Sequence, residues 1–264
     1  MFILKLNKMT ISKSLFAVLL TLMSITYTQA QTKVIAHRGA WKTQNLPQNS
    51  IASLNHAIEL GCYGAEFDVH LTKDDILVVN HDKDFYGIDI ETSTYKDLLA
   101  IKHPNGESIP TLEEYLNEGG KQNKTRLVLE LKTSSISKER TLKAVDMCVK
   151  MVKKLNVKDL VDYIFFDYDA GKLVRKLNPQ AEVAYLNGDV SPAQAKKDGY
   201  TGIDYHFNVY KKNPDWIKEA HTNGLSVNAW TVNTEEEMLN LIKQNVEFIT
   251  TDEPELLLNL LNKP

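Results

Sequence analysis

Short apolar, β-branched runs alternate with amphipathic helical segments along almost the whole chain. No other feature of the sequence constrains its fold as much. The strand-like runs are residues 34–37, 65–68, 126–131, 163–166, 182–185, 202–204, 226–230 and 248–250. Several are apolar on both faces, as strands buried in a parallel sheet are. The helices between them have readable ends. One runs over 50–60 and stops at Gly61, and a second carries an apolar stripe over 137–155. Thr111 with Glu114 and Thr234 with Glu237 have the spacing of capping boxes. A helix over 213–223 ends before Gly224, and Pro254 opens the last one. Eight strands with helical crossovers fit a closed (β/α)8 barrel, a TIM barrel, with its site at the C-terminal ends of the strands. By rhythm alone, a doubly wound open sheet is the other solution.

One segment breaks the rhythm. Residues 76–82 return after too few residues for a parallel crossover, so they form an antiparallel return. With Asp74-Asp75 as a two-residue loop, Lys73 faces Ile76 and Asp68 comes opposite His81. The hairpin thus brings a histidine back to the end of strand two.

The strand ends carry chemistry. Strand one ends in His37-Arg38-Gly39, and strand two carries Glu66 and Asp68, on one face because side chains alternate. Strand three carries Glu130 and Lys132, again two apart, strand seven ends at Trp230, and the hairpin adds His81 and Asp82. Three carboxylates converging at a barrel mouth repel one another unless a cation lies between them. The economical choice is one hard divalent ion, Ca²⁺ or Mg²⁺, held by Glu66, Asp68 and Glu130. Arg38 and Lys132 add positive charge that attracts a phosphate. His37 and His81 supply a general acid and base near neutral pH. The sum reads as metal-assisted phosphodiester cleavage. Taken singly, each part has a plainer reading. Glu66 and Asp68 could be exposed edge positions, His37 a structural histidine, Glu130 with Lys132 a surface ion pair of little value, and Trp230 a core or rim residue. Joint placement on successive strand ends favours a site. His70 and His206 read as mainly structural, and His56, His103 and His221 as surface histidines.

Residues 1–30 have the pattern of a secretory signal peptide. Lys5, Lys8 and Lys13 precede an apolar run over 15–23, and Thr28-Gln29-Ala30 ends it. That run is too short to span a bilayer, so a stable membrane anchor is not expected, and the protein is expected to be exported, periplasmic or secreted. Removal of these residues takes away three lysines and no acid, moving the formal charge from -3 to -6. A mildly acidic exported protein has no generic attraction to nucleic acid or anionic membrane. Residues 31–264 show no linker-like break or repeat and are expected to form one catalytic domain, the full sequence's 43% hydrophobic composition being enough for a core. Cys62 and Cys148 make no disulfide framework, and Cys148 sits on an apolar stripe that suits a buried thiol.

The motifs taken together resemble a known family. His37-Arg38-Gly39, Pro47-Gln48-Asn49-Ser50, Glu66-Phe67-Asp68-Val69, Leu71-Thr72-Lys73-Asp74, His81-Asp82, Glu130-Leu131-Lys132 and Trp230-Thr231-Val232-Asn233 are similar to the signature of glycerophosphodiester phosphodiesterases. The resemblance runs from about residue 33 to the C-terminus. It implies a TIM-barrel enzyme that hydrolyses a small-molecule glycerophosphodiester to an alcohol and sn-glycerol 3-phosphate. His37 and His81 are then the acid/base pair and Glu66, Asp68 and Glu130 the metal ligands. Arg38 and Lys132 hold the phosphate, and Trp230 lines the glycerol or alcohol pocket. The family's small insertion after strand two corresponds to residues of roughly 70–110. One departure stands out: the family usually has Glu where this chain has Gln48, and the loss of a charge that could orient Arg38 implies tuned activity. The alternatives are a lipid-directed enzyme of the same superfamily, sphingomyelinase-D-like or phosphatidylinositol-cleaving, and an exported protein that binds a phosphate ester without turnover. The acidic charge argues against the first and the paired histidines against the second.

Overall fold

The computed structural model describes residues 31–262. The expected signal peptide therefore lies outside the described residues. In chain order the elements are β1 (Lys33–Ala36), α1 (Ile51–Glu59), β2 (Gly64–Leu71), β3 (Leu77–Val79), β4 (Asp84–Phe85), β5 (Ile88–Asp89), α2 (Tyr95–Leu98), α3 (Leu112–Gly119) and β6 (Arg126–Leu131). Then come α4 (Lys138–Lys154), β7 (Val161–Phe165), α5 (Tyr168–Leu177), β8 (Glu182–Tyr185), α6 (Pro192–Lys197), β9 (Gly202–His206), α7 (Phe207–Lys212), α8 (Trp216–Thr222), β10 (Ser226–Trp230), α9 (Glu235–Lys243), β11 (Phe248–Thr251) and α10 (Pro254–Leu261).

The strands β1, β2, β6, β7, β8, β9, β10 and β11 pair in parallel in that order, and β11 returns to β1. Pairing of Ile35 with Gly64 and Ala36 with Ala65 completes the ring, so the sheet is a closed (β/α)8 barrel. Period-two alternation sorts each strand's residues. On β2, Ala65, Phe67, Val69 and Leu71 point outward into the core under the helices, where Phe67 stacks on Tyr115 of α3 with centroids 4.3 Å apart. Ile35, Val128, Ile164 and Leu186 point inward and fill the barrel's own interior. The inward residues one step nearer the C-terminal ends are those that form the site. No described helix is long and apolar enough to cross a membrane.

The hairpin differs from the expected register by one residue. The pairs are Val69 with Val79, His70 with Val78 and Leu71 with Leu77, so Asn80, not His81, lies across from Asp68 and donates to its carbonyl at 2.9 Å. The loop is Lys73-Asp74-Asp75, closed by Thr72 N–H to Ile76 O, with Asp75 in the left-handed region at φ 64°. A three-residue loop of this kind ends on a left-handed residue, a place aspartate tolerates. From β3 to residue 110 the chain forms an appendage on the barrel with its own small core of Val78, Phe85, Ile90, Leu98 and Ile109. The helix expected over 213–223 is shorter. Pro214, which lacks an N–H, follows the end of α7, and α8 begins at Trp216. Thr111 and Glu114 form a reciprocal capping box, whereas at α9 the bond in place is Thr234 accepting from Glu237 N–H. Cys62 and Cys148 are both buried free thiols.

Candidate active site

The loop after β1 builds the first wall. Arg38 and Gly39 are both left-handed, at φ 58° and 79°. Gly39 has no substitute here, since a Cβ would lie 2.5 Å from Ser53 Oγ and 2.7 Å from that residue's backbone carbon. The kink turns Arg38 N–H onto Glu66 Oε2 at 2.8 Å. Gln48 Oε1 accepts from Arg38 Nη1 at 2.6 Å, so the neutral amide orients the guanidinium that a glutamate was expected to orient. Asn49 clasps Asp68 from both sides, donating Nδ2–H to Oδ2 at 2.8 Å and accepting Asp68 N–H at 3.0 Å.

Glu66, Asp68 and Glu130 are buried, and each offers an oxygen within 4.8 Å of the others. Lys132 Nζ bridges Asp68 Oδ1 and Glu130 Oε1, both at 2.7 Å. Burial first, then repulsion from Asp68 and Glu130, pushes the Glu66 carboxyl well above its ordinary range. Burial and Asp68 likewise push Glu130 up to about 7, with Lys132 offsetting part of the rise. Burial opposes charge on Asp68 too, but Lys132, His81 and the bonds from Lys132 and Asn49 outweigh it and hold that carboxyl low. Two of three buried carboxyls therefore resist ionising even with Lys132 and Arg38 beside the cluster, which is the condition a divalent cation relieves. The donor set fits a hard, oxygen-seeking ion.

The two histidines are held by their Nδ1 atoms. His37 Nδ1–H donates to Asp252 Oδ1 at 2.7 Å, and Asn233 fixes that carboxylate by donating to Oδ2 at 2.7 Å. His81 Nδ1–H donates to Asp82 Oδ1 at 2.8 Å, and His70 Nε2–H donates to the His81 carbonyl at 3.2 Å. Both arrangements leave Nε2 for chemistry. Because β3 ends at Val79, His81 is not bound by strand alternation and reaches the cavity despite the shifted register. Burial, with Lys132 and Arg38, holds its pKa below the ordinary histidine value, against the pull of Asp68.

His37, Arg38, Glu66, His81, Glu130, Lys132 and Trp230 line one cavity of about 120 Å³ at the C-terminal mouth, with Asp68 joined to it through Lys132. Trp230 forms the far wall. Its Nε1–H donates to Asp204 O at 2.8 Å, and Phe166 and His206 meet its ring edge to face at 5.6 and 5.3 Å. A larger hollow of about 440 Å³ opens at the opposite mouth. On its wall Arg126 pairs with Asp162 and Lys158 with Asp159, and no histidine lines it.

Sequence reasoning brought all eight singled-out residues into one place. It missed Asp252, although a carboxylate just past the last strand occupies the position where barrel sites arise, and it missed the clasp of Asn49. His70 is a brace and His206 caps α7, accepting from Asn208 N–H at 3.2 Å. His221 is exposed as expected. His56 and His103 are not surface residues but are 7% and 6% exposed: His56 Nδ1–H donates to Ala40 O at 2.7 Å, and His103 packs in the appendage's core.

A closed barrel with acids, bases and cations converging at its C-terminal mouth defines a TIM-barrel enzyme. The model of the glycerophosphoryl diester phosphodiesterase family matches residues 37–256. A glycerophosphodiester phosphodiesterase of Caldanaerobacter subterraneus subsp. tengcongensis is 34% identical, over 88% of this chain and 99% of the relative. The crystal structure of a glycerophosphodiester phosphodiesterase from Parabacteroides distasonis is 46% identical, with a TM-score of 0.86 over 88% of this chain and 98% of that one. An Oleispira antarctica phosphodiesterase, solved in complex with the product sn-glycerol-3-phosphate, is 25% identical, with a TM-score of 0.76 over 88% and 98%. The chain belongs to the glycerophosphoryl diester phosphodiesterase family.

Proposed function

We propose that the protein hydrolyses a glycerophosphodiester to an alcohol and sn-glycerol 3-phosphate, with a divalent cation at Glu66, Asp68 and Glu130 and with His37 and His81 as the acid/base pair. The observation that carries this reading is the cavity itself, lined by two histidines held through Nδ1, by Glu66 and Glu130, and by an arginine and a lysine, with Asp68 joined through Lys132. The product-bound relative from Oleispira supports the glycerol phosphate half.

When bound, the cation supplies neutralisation of the carboxylates and polarisation of a phosphoryl oxygen. This chain's own residues do the rest. Arg38, aimed by Gln48, and Lys132 hold the single negative charge of the diester and the charge that develops as it reacts. One histidine takes the proton of the attacking oxygen, which belongs to water or to the substrate's own glycerol hydroxyl; in the second case a cyclic phosphate forms and water then opens it to glycerol 3-phosphate. The other gives a proton to the alcohol oxygen as its bond to phosphorus breaks. Asp252 stabilises the charge that His37 carries during the reaction and keeps its ring in place. Trp230 offers the apolar wall against the glycerol or alcohol carbons. Export of the enzyme rests on the sequence pattern of residues 1–30.

The test is release of glycerol 3-phosphate from a panel of glycerophosphodiesters, with EDTA and then with Ca²⁺ or Mg²⁺ restored. Release that stops with EDTA and returns with metal is expected. Full activity in EDTA would remove the metal from the account, and silence on every substrate would turn it towards a lipid phosphodiester.

A further inference from the structure

Beside the catalytic cavity lies a second hollow of about 480 Å³, between the loop after β1 and the appendage. Trp41 and Gln48 line one side; Asp82, Asp84, Tyr86 and His103 line the other. It adjoins the cavity at two points, because Gln48 holds Arg38 and Asp82 holds His81. A substituent on a phosphate bound at Arg38 therefore has this hollow, which Trp230 does not line, as one way out.

The chemistry of the walls is one-sided. Two carboxylates line the hollow and no lysine or arginine does. Aromatic rings make up much of the remainder, and Tyr86 holds its place at a conformational cost. Tyr86-Gly87 is the two-residue turn between β4 and β5, with φ of 49° and 91°. Such turns favour Asn-Gly or Gly-Gly, and a bulky residue in the left-handed region is uncommon. Core packing does not explain Tyr86, which is 53% exposed. Its hydroxyl meets His103 Nδ1 at 3.0 Å, and its ring packs edge to face on His103 and Phe85. His103 is 6% exposed, yet its Nε2 has no hydrogen-bond partner among the described residues. The hollow thus has a buried polar group in need of a partner, two carboxylates and several aromatic rings in its walls.

We propose that this hollow seats the alcohol half of the substrate, and that the alcohol it fits is a cationic amino alcohol. An ammonium group is what both wall components attract, the carboxylates by charge and the rings through their electron-rich faces. A neutral polyol gains nothing from the charge of Asp84 and competes with water for the same bonds. The inference rests on the hydrolase reading above and adds the class of leaving group to it.

The test measures kcat/KM on glycerophosphoethanolamine and glycerophosphocholine against glycerophosphoglycerol and glycerophosphoinositol, in the wild-type enzyme, Tyr86→Ala and Asp84→Asn. Asparagine keeps an oxygen for the Gly87 N–H that Asp84 Oδ1 accepts at 2.7 Å, so the turn is preserved. The wild type is expected to favour the cationic pair by about tenfold, and each substitution to lower that ratio by ~5-fold. Equal efficiency on all four substrates, or a ratio that neither substitution moves, overturns the seat. If no substrate turns over, the hydrolase reading fails separately. Titration of ethanolamine and choline into the same proteins then decides: binding weakened by Tyr86→Ala upholds the seat, and absence of binding overturns it.

Discussion

Gln48 shows how far a single residue can be read. From sequence it was a lost charge beside Arg38; in the structure its amide oxygen still orients the guanidinium at 2.6 Å. Reversion by Gln48→Glu is therefore expected to change kcat/KM by less than about tenfold, since the contact survives and gains charge. Gln48→Ala, which leaves a partly buried guanidinium without this acceptor, is expected to cost roughly 10–100-fold, mostly in KM, by the worth of a hydrogen bond to a charged group. Steady-state kinetics of the two variants check this, and equal effects would mean that the amide is idle. Residues at strand ends were legible because alternation fixes which of them face inward: Glu66 with Asp68 and Glu130 with Lys132 needed only a count of two. Asp252 and Asn49 were not, because their roles come from pairing across 215 and 19 residues of sequence, which no local pattern encodes.

At the scale of elements, barrel strands were more legible than connections. Runs over 126–131, 182–185 and 226–230 coincide with β6, β8 and β10, since most of their residues are apolar and buried. The hairpin register slipped by one because Asp75, and not only a glycine or asparagine, takes the left-handed place and lengthens the loop. The appendage's core was not legible at all. Its apolar residues are spread over short elements, and His103 gave no sign that it lies among them. Burial pushes the pKa of His103 down to about 4. Between its unfolded value near 6.5 and about 4, the unfolded chain binds a proton that the folded appendage does not. Stability supplied by the neutral ring is thus present above pH 6.5 and falls as pH drops towards 4. At pH 4.5, just above the folded value, the loss is ~1–2 kcal/mol. Thermal melts at pH 7.5 and 4.5 should converge for His103→Phe relative to wild type; an unchanged difference would place the acid sensitivity elsewhere.

As a whole, the described residues form a closed ring of strands that carries the candidate site on one rim. Closure of β11 on β1 brings His37 from one end of the chain against Asp252 from the other. Closure of β1 on β2 puts Arg38 against Glu66. The appendage brings in His81, which follows β3 and not a strand of the barrel. The proposed acid/base pair thus follows β1 and β3, whereas the carboxylates proposed to hold the cation stand on β2 and β6. The most direct test of that division is calorimetric titration of Ca²⁺ or Mg²⁺ into His37→Ala, His81→Ala and Glu130→Gln, beside the turnover of each. The histidine variants should bind metal nearly as the wild type does while turnover falls roughly 10²–10⁴-fold, and Glu130→Gln should lose metal affinity first. Loss of metal binding in either histidine variant, or wild-type affinity in Glu130→Gln, would contradict the account.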